Sequence, residues 1–289
     1  LNTILFSRIV ILARFEVLFM QFTSDYISLK GSVFSFNLDR NVAFRLVAPP
    51  NYRESQSPFP VLLMNDGQDY VGLNLEKTLS GAYKDKKTIP FIFVGIEADQ
   101  NRLYEYGTSV SADFKGRGNK ALQYSKFIVD EFIPFLGQEF KVSPPEQNWV
   151  YCGFSLGGLS AFDIAFNNSQ LFAKVGVFSG SFWWRRKAYQ KHDMEDRSRI
   201  TLDMIKHSKN LAPLQYFFQC GTEEETDDRN NNGVIDVIDD TLDVINELQL
   251  KGYSYPGDIC YKEIEGGKHD LYTWGSALPQ FIKWAFQKD

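Results

Sequence analysis

The chain has little of what several common functions require. Its 289 residues include only three cysteines, Cys152, Cys220 and Cys260, each inside an apolar run. An odd count closes no disulfide framework, so the three read as buried free thiols. They favour a reducing compartment, the cytoplasm ahead of the periplasm or the exterior. Basic stripes are absent too: the formal charge is −5 and the pI near 5.4, a balance that argues against nucleic acid as the main partner. No apolar run crosses a bilayer's thickness uninterrupted. Ile4 to Met20 comes nearest, but Arg8, Arg14 and Glu16 break it and no small-residue cleavage site follows. Strands are expected there, with no membrane partner. Without repeats, low-complexity tracts or linkers, residues 32–289 form one expected domain behind a less legible strand-like extension at residues 1–31.

What is present is material for one large core, with 44% hydrophobic and 15% aromatic residues. Val33-Phe34-Ser35-Phe36 and Val42 to Val47 flank a polar turn at Leu38-Asp39-Arg40-Asn41 and predict an antiparallel hairpin. After Pro49-Pro50, apolar runs alternate with helix-length segments. Strands are expected at residues 60–64, 91–96, 149–152, 175–178, 214–220 and 259–264. Helices are expected at residues 73–83, 119–140, 156–167, 238–250 and 274–286, with Pro134 kinking the second and Pro279 near the start of the last. That alternation predicts parallel strands joined by crossover helices. Two excursions interrupt it: residues 97–118, polar and carrying Arg102, Glu105 and Tyr106, and residues 179–209, which begin near Trp183-Trp184-Arg185-Arg186. Long loops in compact domains are usually functional or mobile.

The chemistry centres on Asn148 to Gly158, NWVYCGFSLGG. An apolar strand runs into Gly153-Phe154-Ser155-Leu156-Gly157 and then directly into a helical pattern, the strand, tight turn and helix of a nucleophile elbow. Such a turn presents Ser155 Oγ where the first N–H groups of the helix are unpaired and favour a developing oxyanion. A serine needs a base, and the base needs an orienting acid. Of three histidines, His192 and His207 lie in charged helical stretches, whereas His269 directly follows the last strand. The acid is expected after the preceding strand, where Glu223, Glu224 and Glu225 are consecutive and indistinguishable by position.

A second motif follows at once. Asp228, Asn230, Asn232, Asp236 and Asp239 fall at positions 1, 3, 5, 9 and 12 of a calcium-loop pattern, with Gly233 at position 6 and the carbonyl of Val234 at position 7. Aspartate at position 12 departs from the usual glutamate, whose longer arm supplies two oxygens. Calcium is therefore expected as a structural ion holding the acid loop, with no organic cofactor.

Five segments together resemble the putative-esterase family of α/β-hydrolases, which includes enterochelin esterases, feruloyl esterases and mycolyltransferases. They are Leu63-Met64-Asn65-Asp66-Gly67-Gln68, Gly153 to Gly158, Ser179-Gly180-Ser181-Phe182-Trp183-Trp184, Gly221-Thr222-x-Glu224 and Gly267-x-His269-Asp270, and the likeness covers residues 33 to 287. The resemblance implies an α/β-hydrolase fold: a mostly parallel sheet, an antiparallel N-terminal hairpin and helices on both faces. It also implies hydrolysis of a small-molecule carboxylic ester through an acyl-enzyme on Ser155, with His269 as base. It selects Glu224 as the acid and pairs the N–H groups of Gln68 and Leu156 as the oxyanion hole. Arg102, Tyr106, Trp183 and Trp184 are the expected substrate contacts, the arginine for an anionic group and the tryptophans for a sugar or phenolic one. An acyltransferase with a sugar or alcohol acceptor shares the same triad, and a non-catalytic binding module shares only the fold.

Overall fold

The computed structural model describes residues 15–146, 148–190, 198–209 and 213–288. Among the described residues nine strands form one sheet in the order β1-β2-β3-β5-β4-β6-β7-β8-β9. These are β1 (Phe15–Phe22), β2 (Ile27–Ser35), β3 (Arg40–Ala48), β4 (Val61–Met64), β5 (Ile92–Ile96), β6 (Val150–Phe154), β7 (Lys174–Phe178), β8 (Gln215–Gly221) and β9 (Ile259–Ile264). Pairing is antiparallel from β1 through β3 to β5 and parallel from β5 to β9. The expected hairpin is β2–β3, closed between Ser35 and Arg40. From Phe15 onward the region that looked like an extension is paired into the same sheet. Residues 1–14, and with them most of the Ile4–Met20 run, lie outside the described residues, as does His192.

Strand alternation sorts the core into two layers. Val61 and Leu63 join one buried cluster while Leu62 and Met64 join the other, as the two-residue period requires. The helices are α1 (Leu75–Lys84), α2 (Arg102–Glu105), α3 (Ala121–Lys126), α4 (Ile133–Glu139), α5 (Ser155–Asn167), α6 (Ile200–His207), α7 (Asp236–Leu250) and α8 (Leu271–Phe286). Buried residues of α1 and α8 belong to the second cluster and those of α3 to α6 to the first; α7 gives Val244, Ile245 and Leu248 to the first and Val237 and Ile238 to a small third cluster with Cys220. Helices thus cover both faces, which a largely parallel sheet buried on both sides demands. Among the described residues no helix is long and apolar enough to cross a membrane.

One helix expectation needs correction. Pro279 lies inside α8 rather than near its start; the sequence signal for the start was Asp270, whose carboxylate accepts the N–H of Thr273 at 2.8 Å as an N-cap. Where Pro134 was expected to disturb the helix, a π-helical turn, Phe127–Phe132, runs directly into α4, with Pro134 at the second residue of α4.

The excursion at residues 97–118 is held to α5 by buried polar groups. Gly107 N–H donates to Ser160 Oγ and Ser109 N–H to Asp163 Oδ2, both at 2.8 Å. Burial pushes the Asp163 carboxyl up to about 6 from 3.8. A raised carboxyl pKa means that ionisation opposes folding, a cost absent below the unfolded value and complete above the folded one. Asp163→Asn is therefore expected to gain in melting temperature relative to wild type as pH rises from 4 to 7. A difference that does not change over that range would contradict this.

Candidate active site

β6 enters α5 through a turn that only glycine allows. A Cβ on Gly153 would stand 2.3 Å from Gly157 O, and one on Gly157 would stand 2.4 Å from Asp66 Oδ2. Between them Ser155 adopts φ +51°, a left-handed conformation that a non-glycine residue holds only when its surroundings fix it. Ser155 Oγ lies 3.5 Å from Ser181 Oγ, and Ser181 N–H donates to Ser155 O at 3.2 Å.

The loops after β8 and β9 meet backbone to backbone. A Cβ on Gly221 would be 2.3 Å from Gly267 O, and Glu223 N–H donates to Gly267 O at 2.8 Å. This contact brings the acid loop against the histidine loop, and it separates the three glutamates that sequence could not. Glu223 is exposed. Glu225 accepts the N–H of Val237 at 2.6 Å at the start of α7. Glu224, 1% exposed at its side chain, places Oε2 2.7 Å from His269 Nδ1. Its Oε1 accepts the Ser179 hydroxyl at 2.6 Å and also the N–H of Gly221. An ionised carboxylate only accepts, so Nδ1 is the donor of this bond, and in a neutral ring Nε2 is then the acceptor. The ring meets Trp274 edge-on, centroids 4.9 Å apart. No hydrogen bond joins His269 to Ser155 in this conformation; such bonds commonly tighten only when substrate binds.

On the opposite side of the elbow, Gln68 occupies a 3-10 turn, Gly67–Tyr70, that follows β4. Its side chain pins it at both ends, Nε2 to Asp66 Oδ1 at 3.2 Å and Oε1 accepting Ala98 N–H at 2.9 Å. Asp66 is buried with φ +61°. Here the expected substrate contacts are redistributed. Arg102 grips Asp66 through Nε and an Nη at 2.7 and 2.8 Å, so its charge is already matched rather than waiting for an anion. Tyr106 is 1% exposed, and its hydroxyl accepts Asp66 N–H at 3.2 Å. Trp184 is wholly buried. Tyr106 and Trp184 thus present no face to a ligand, and both are core residues of the loops that shape the site. Trp183 remains half-buried, with the Arg117 guanidinium 4.9 Å from its ring centre. Sequence reasoning gave no role to Ser179, Ser181 or Trp274; nothing in a serine's neighbourhood along the chain reveals which carboxylate it will meet in space.

The loop from Asp228 to Asp239 is held by side-chain-to-backbone and side-chain-to-side-chain bonds. Asp228 accepts the N–H groups of Asn232 and Gly233 at 3.1 and 2.9 Å, Asn232 Oδ1 accepts Val234 N–H at 2.8 Å, and Gly233 has φ +86°. Asp239 Oδ2 accepts the side-chain amides of Asn230 and Asn232 at 2.8 and 2.9 Å. Asp236, expected as a ligand, instead accepts Arg229 N–H at 2.9 Å, with the Arg229 guanidinium 3.3 Å away. Among the described residues no three His, Cys, Asp or Glu side chains converge as a metal-binding group. The donors at hand are two aspartates and two amides, a hard oxygen set once each amide turns about its terminal bond.

Residues 35–285 match the family described as putative esterase. An uncharacterised protein of Bacillus subtilis, YbbA, is 26% identical over 267 residues, covering 90% of this chain and 98% of its own. A ferulic acid esterase structure superposes with a TM-score of 0.70 at 18% identity, covering 91% of this chain and 99% of that one. The enterobactin esterase of Shigella flexneri superposes with a TM-score of 0.68 at 18% identity, over 89% of this chain and 58% of that one. The two structural likenesses establish the α/β-hydrolase fold.

Proposed function

The chain belongs to the putative-esterase family, and from that premise we propose that it hydrolyses a carboxylic ester through an acyl-enzyme on Ser155. Ser155 Oγ attacks the ester carbonyl while His269 Nε2 takes its proton. Glu224 holds the ring in the required tautomer and stabilises the imidazolium. The tetrahedral oxyanion is received by the N–H groups of Leu156, at the open end of α5, and Gln68. Protonated His269 then donates to the leaving alcohol, water repeats the sequence on the acyl group, and free acid departs. The 2.7 Å contact of buried Glu224 with His269, on loops joined beside the elbow, carries this reading. The wild-type protein is expected to release p-nitrophenol from short p-nitrophenyl esters and to lose that activity on treatment with a fluorophosphonate. Absence of turnover in folded protein would contradict it.

For the loop from Asp228 to Asp239 we propose a structural Ca²⁺ held by Asp228, Asn230, Asn232, the Val234 carbonyl and Asp239. Asp236 joins only if it leaves Arg229. When bound, the ion offsets carboxylate repulsion four residues from Glu224 and restricts the acid loop. A ligand bound only to the native state, at about a hundred times its Kd, adds roughly 2.7 kcal/mol. Melting temperature is expected to rise with Ca²⁺ over EGTA in wild type and to stay flat in Asp228→Ala with Asp239→Ala. A calcium-indifferent wild type, or a double variant that still responds, would rule the site out.

A further inference from the structure

Two buried groups beside the proposed triad have no part in the mechanism so far. Ser179, the first residue after β7, is 1% exposed and held at φ +50°. Trp274, in the first turn of α8, is 8% exposed. Its indole stacks on Phe154, the residue before the nucleophile, at 5.3 Å between centroids, and meets His269 edge-on. Trp274 Nε1–H donates to Ser179 Oγ at 2.8 Å, and Ser179 Oγ–H donates to Glu224 Oε1 at 2.6 Å.

The polarity of this string is forced. An indole nitrogen only donates, and a serine hydroxyl has one proton. With Trp274 donating into Ser179, that proton has to point onward, and the acceptor it meets is Glu224. Oε1 thereby takes two donors, Ser179 and the N–H of Gly221, which leaves Oε2 for His269. A carboxylate fixed at one oxygen has lost the rotation that would carry the other away from the histidine.

Resting on the esterase reading above, we infer that Ser179 and Trp274 are positioning residues for the acid: Trp274 orients the Ser179 hydroxyl, and Ser179 locks Glu224 with Oε2 on His269 Nδ1. The left-handed backbone at Ser179 agrees with this. Glycine suits that conformation best but would delete the hydroxyl.

The test measures kcat and KM on an activated ester for Ser179→Ala, Ser179→Gly, Trp274→Phe and the Ser179→Ala/Trp274→Phe pair. Ser179→Ala is also measured in a Glu224→Gln background, and melting temperatures are recorded throughout. Losing a hydrogen bond to a charged group is expected to lower kcat about tenfold to a hundredfold in the Ser179 variants, with KM nearly unchanged. Trp274→Phe keeps an aromatic ring at this position but loses the donor together with part of the indole, and it leaves the Ser179 hydroxyl in place, so a smaller fall in kcat is expected. The pair should match Ser179→Ala alone, because the indole acts through the hydroxyl. In Glu224→Gln, adding Ser179→Ala should change kcat by less than about twofold. Ser179→Gly keeps the result readable if alanine folds poorly. Folded Ser179 variants with wild-type kcat would overturn the inference, as would an undiminished Ser179 effect in Glu224→Gln. If Glu224→Gln itself left kcat intact, the triad reading would fall instead.

Discussion

Ser155→Ala is expected to lower kcat/KM for short p-nitrophenyl esters by about 10⁴-fold or more, with a melting temperature close to wild type. The magnitude follows from a triad acting as a unit: once the nucleophile is gone, only binding and the oxyanion donors remain to accelerate attack by water. The near-wild-type stability follows from local structure. Among the described residues Ser155 Oγ has one side-chain hydrogen-bond partner, Ser181 Oγ at 3.5 Å, at the edge of hydrogen-bond range. The turn geometry is enforced by Gly153 and Gly157 rather than by the serine. Alanine meets the same φ +51° backbone with no larger penalty. A folded Ser155→Ala enzyme that cleaves these esters at the wild-type rate would remove the nucleophile assignment.

Glu224→Gln is expected to cost about 10³- to 10⁴-fold in kcat, and its two neighbours very little. The amide replaces an acceptor with a group that presents either oxygen or nitrogen to His269 Nδ1, losing the charge that stabilises the imidazolium and the tautomer that frees Nε2. Glu223 is exposed and contacts neither partner, so Glu223→Gln should leave both kcat and melting temperature unchanged. Glu225 serves α7 through Val237 N–H, so Glu225→Ala should lower the melting temperature, by a capping interaction's worth of about 1 kcal/mol, and spare kcat. Kinetics and thermal melts on the three variants separate these outcomes. Equal losses across all three would mean that loop charge, not the Glu224–His269 contact, governs turnover.

Much of this site was legible because its signals are local. The elbow is specified by glycines within five residues of Ser155, and strand runs such as Val61–Met64 are short, apolar and bounded by turn residues. The hydrophobic period marked α7 to within two residues of its start. What remained hidden depends on contacts across long separations. Glu223, Glu224 and Glu225 are equivalent in sequence, and only the Gly221–Gly267 approach decides which of them faces His269. Arg102 looked free for an anionic ligand because its partner, Asp66, lies thirty-six positions away. Trp184 and Tyr106 looked like binding aromatics because large rings at loop starts are equally suited to a rim or a core; burial in the layer beneath the excursion decides for the core. Pro279 was misplaced because proline usually starts helices, whereas α8 was already started by Asp270 nine residues earlier.

The central claim is a covalent acyl-enzyme on Ser155, and the most direct measurement is to trap it. Glu224→Gln enzyme turning over p-nitrophenyl acetate is quenched in acid and digested, and the peptide containing Ser155 is weighed. An acetyl group on Ser155, absent when Ser155→Ala is treated in the same way, is the result predicted. An active enzyme whose quenched Ser155 peptide carries no acetyl group, or whose acetyl group maps to another residue, would contradict the account.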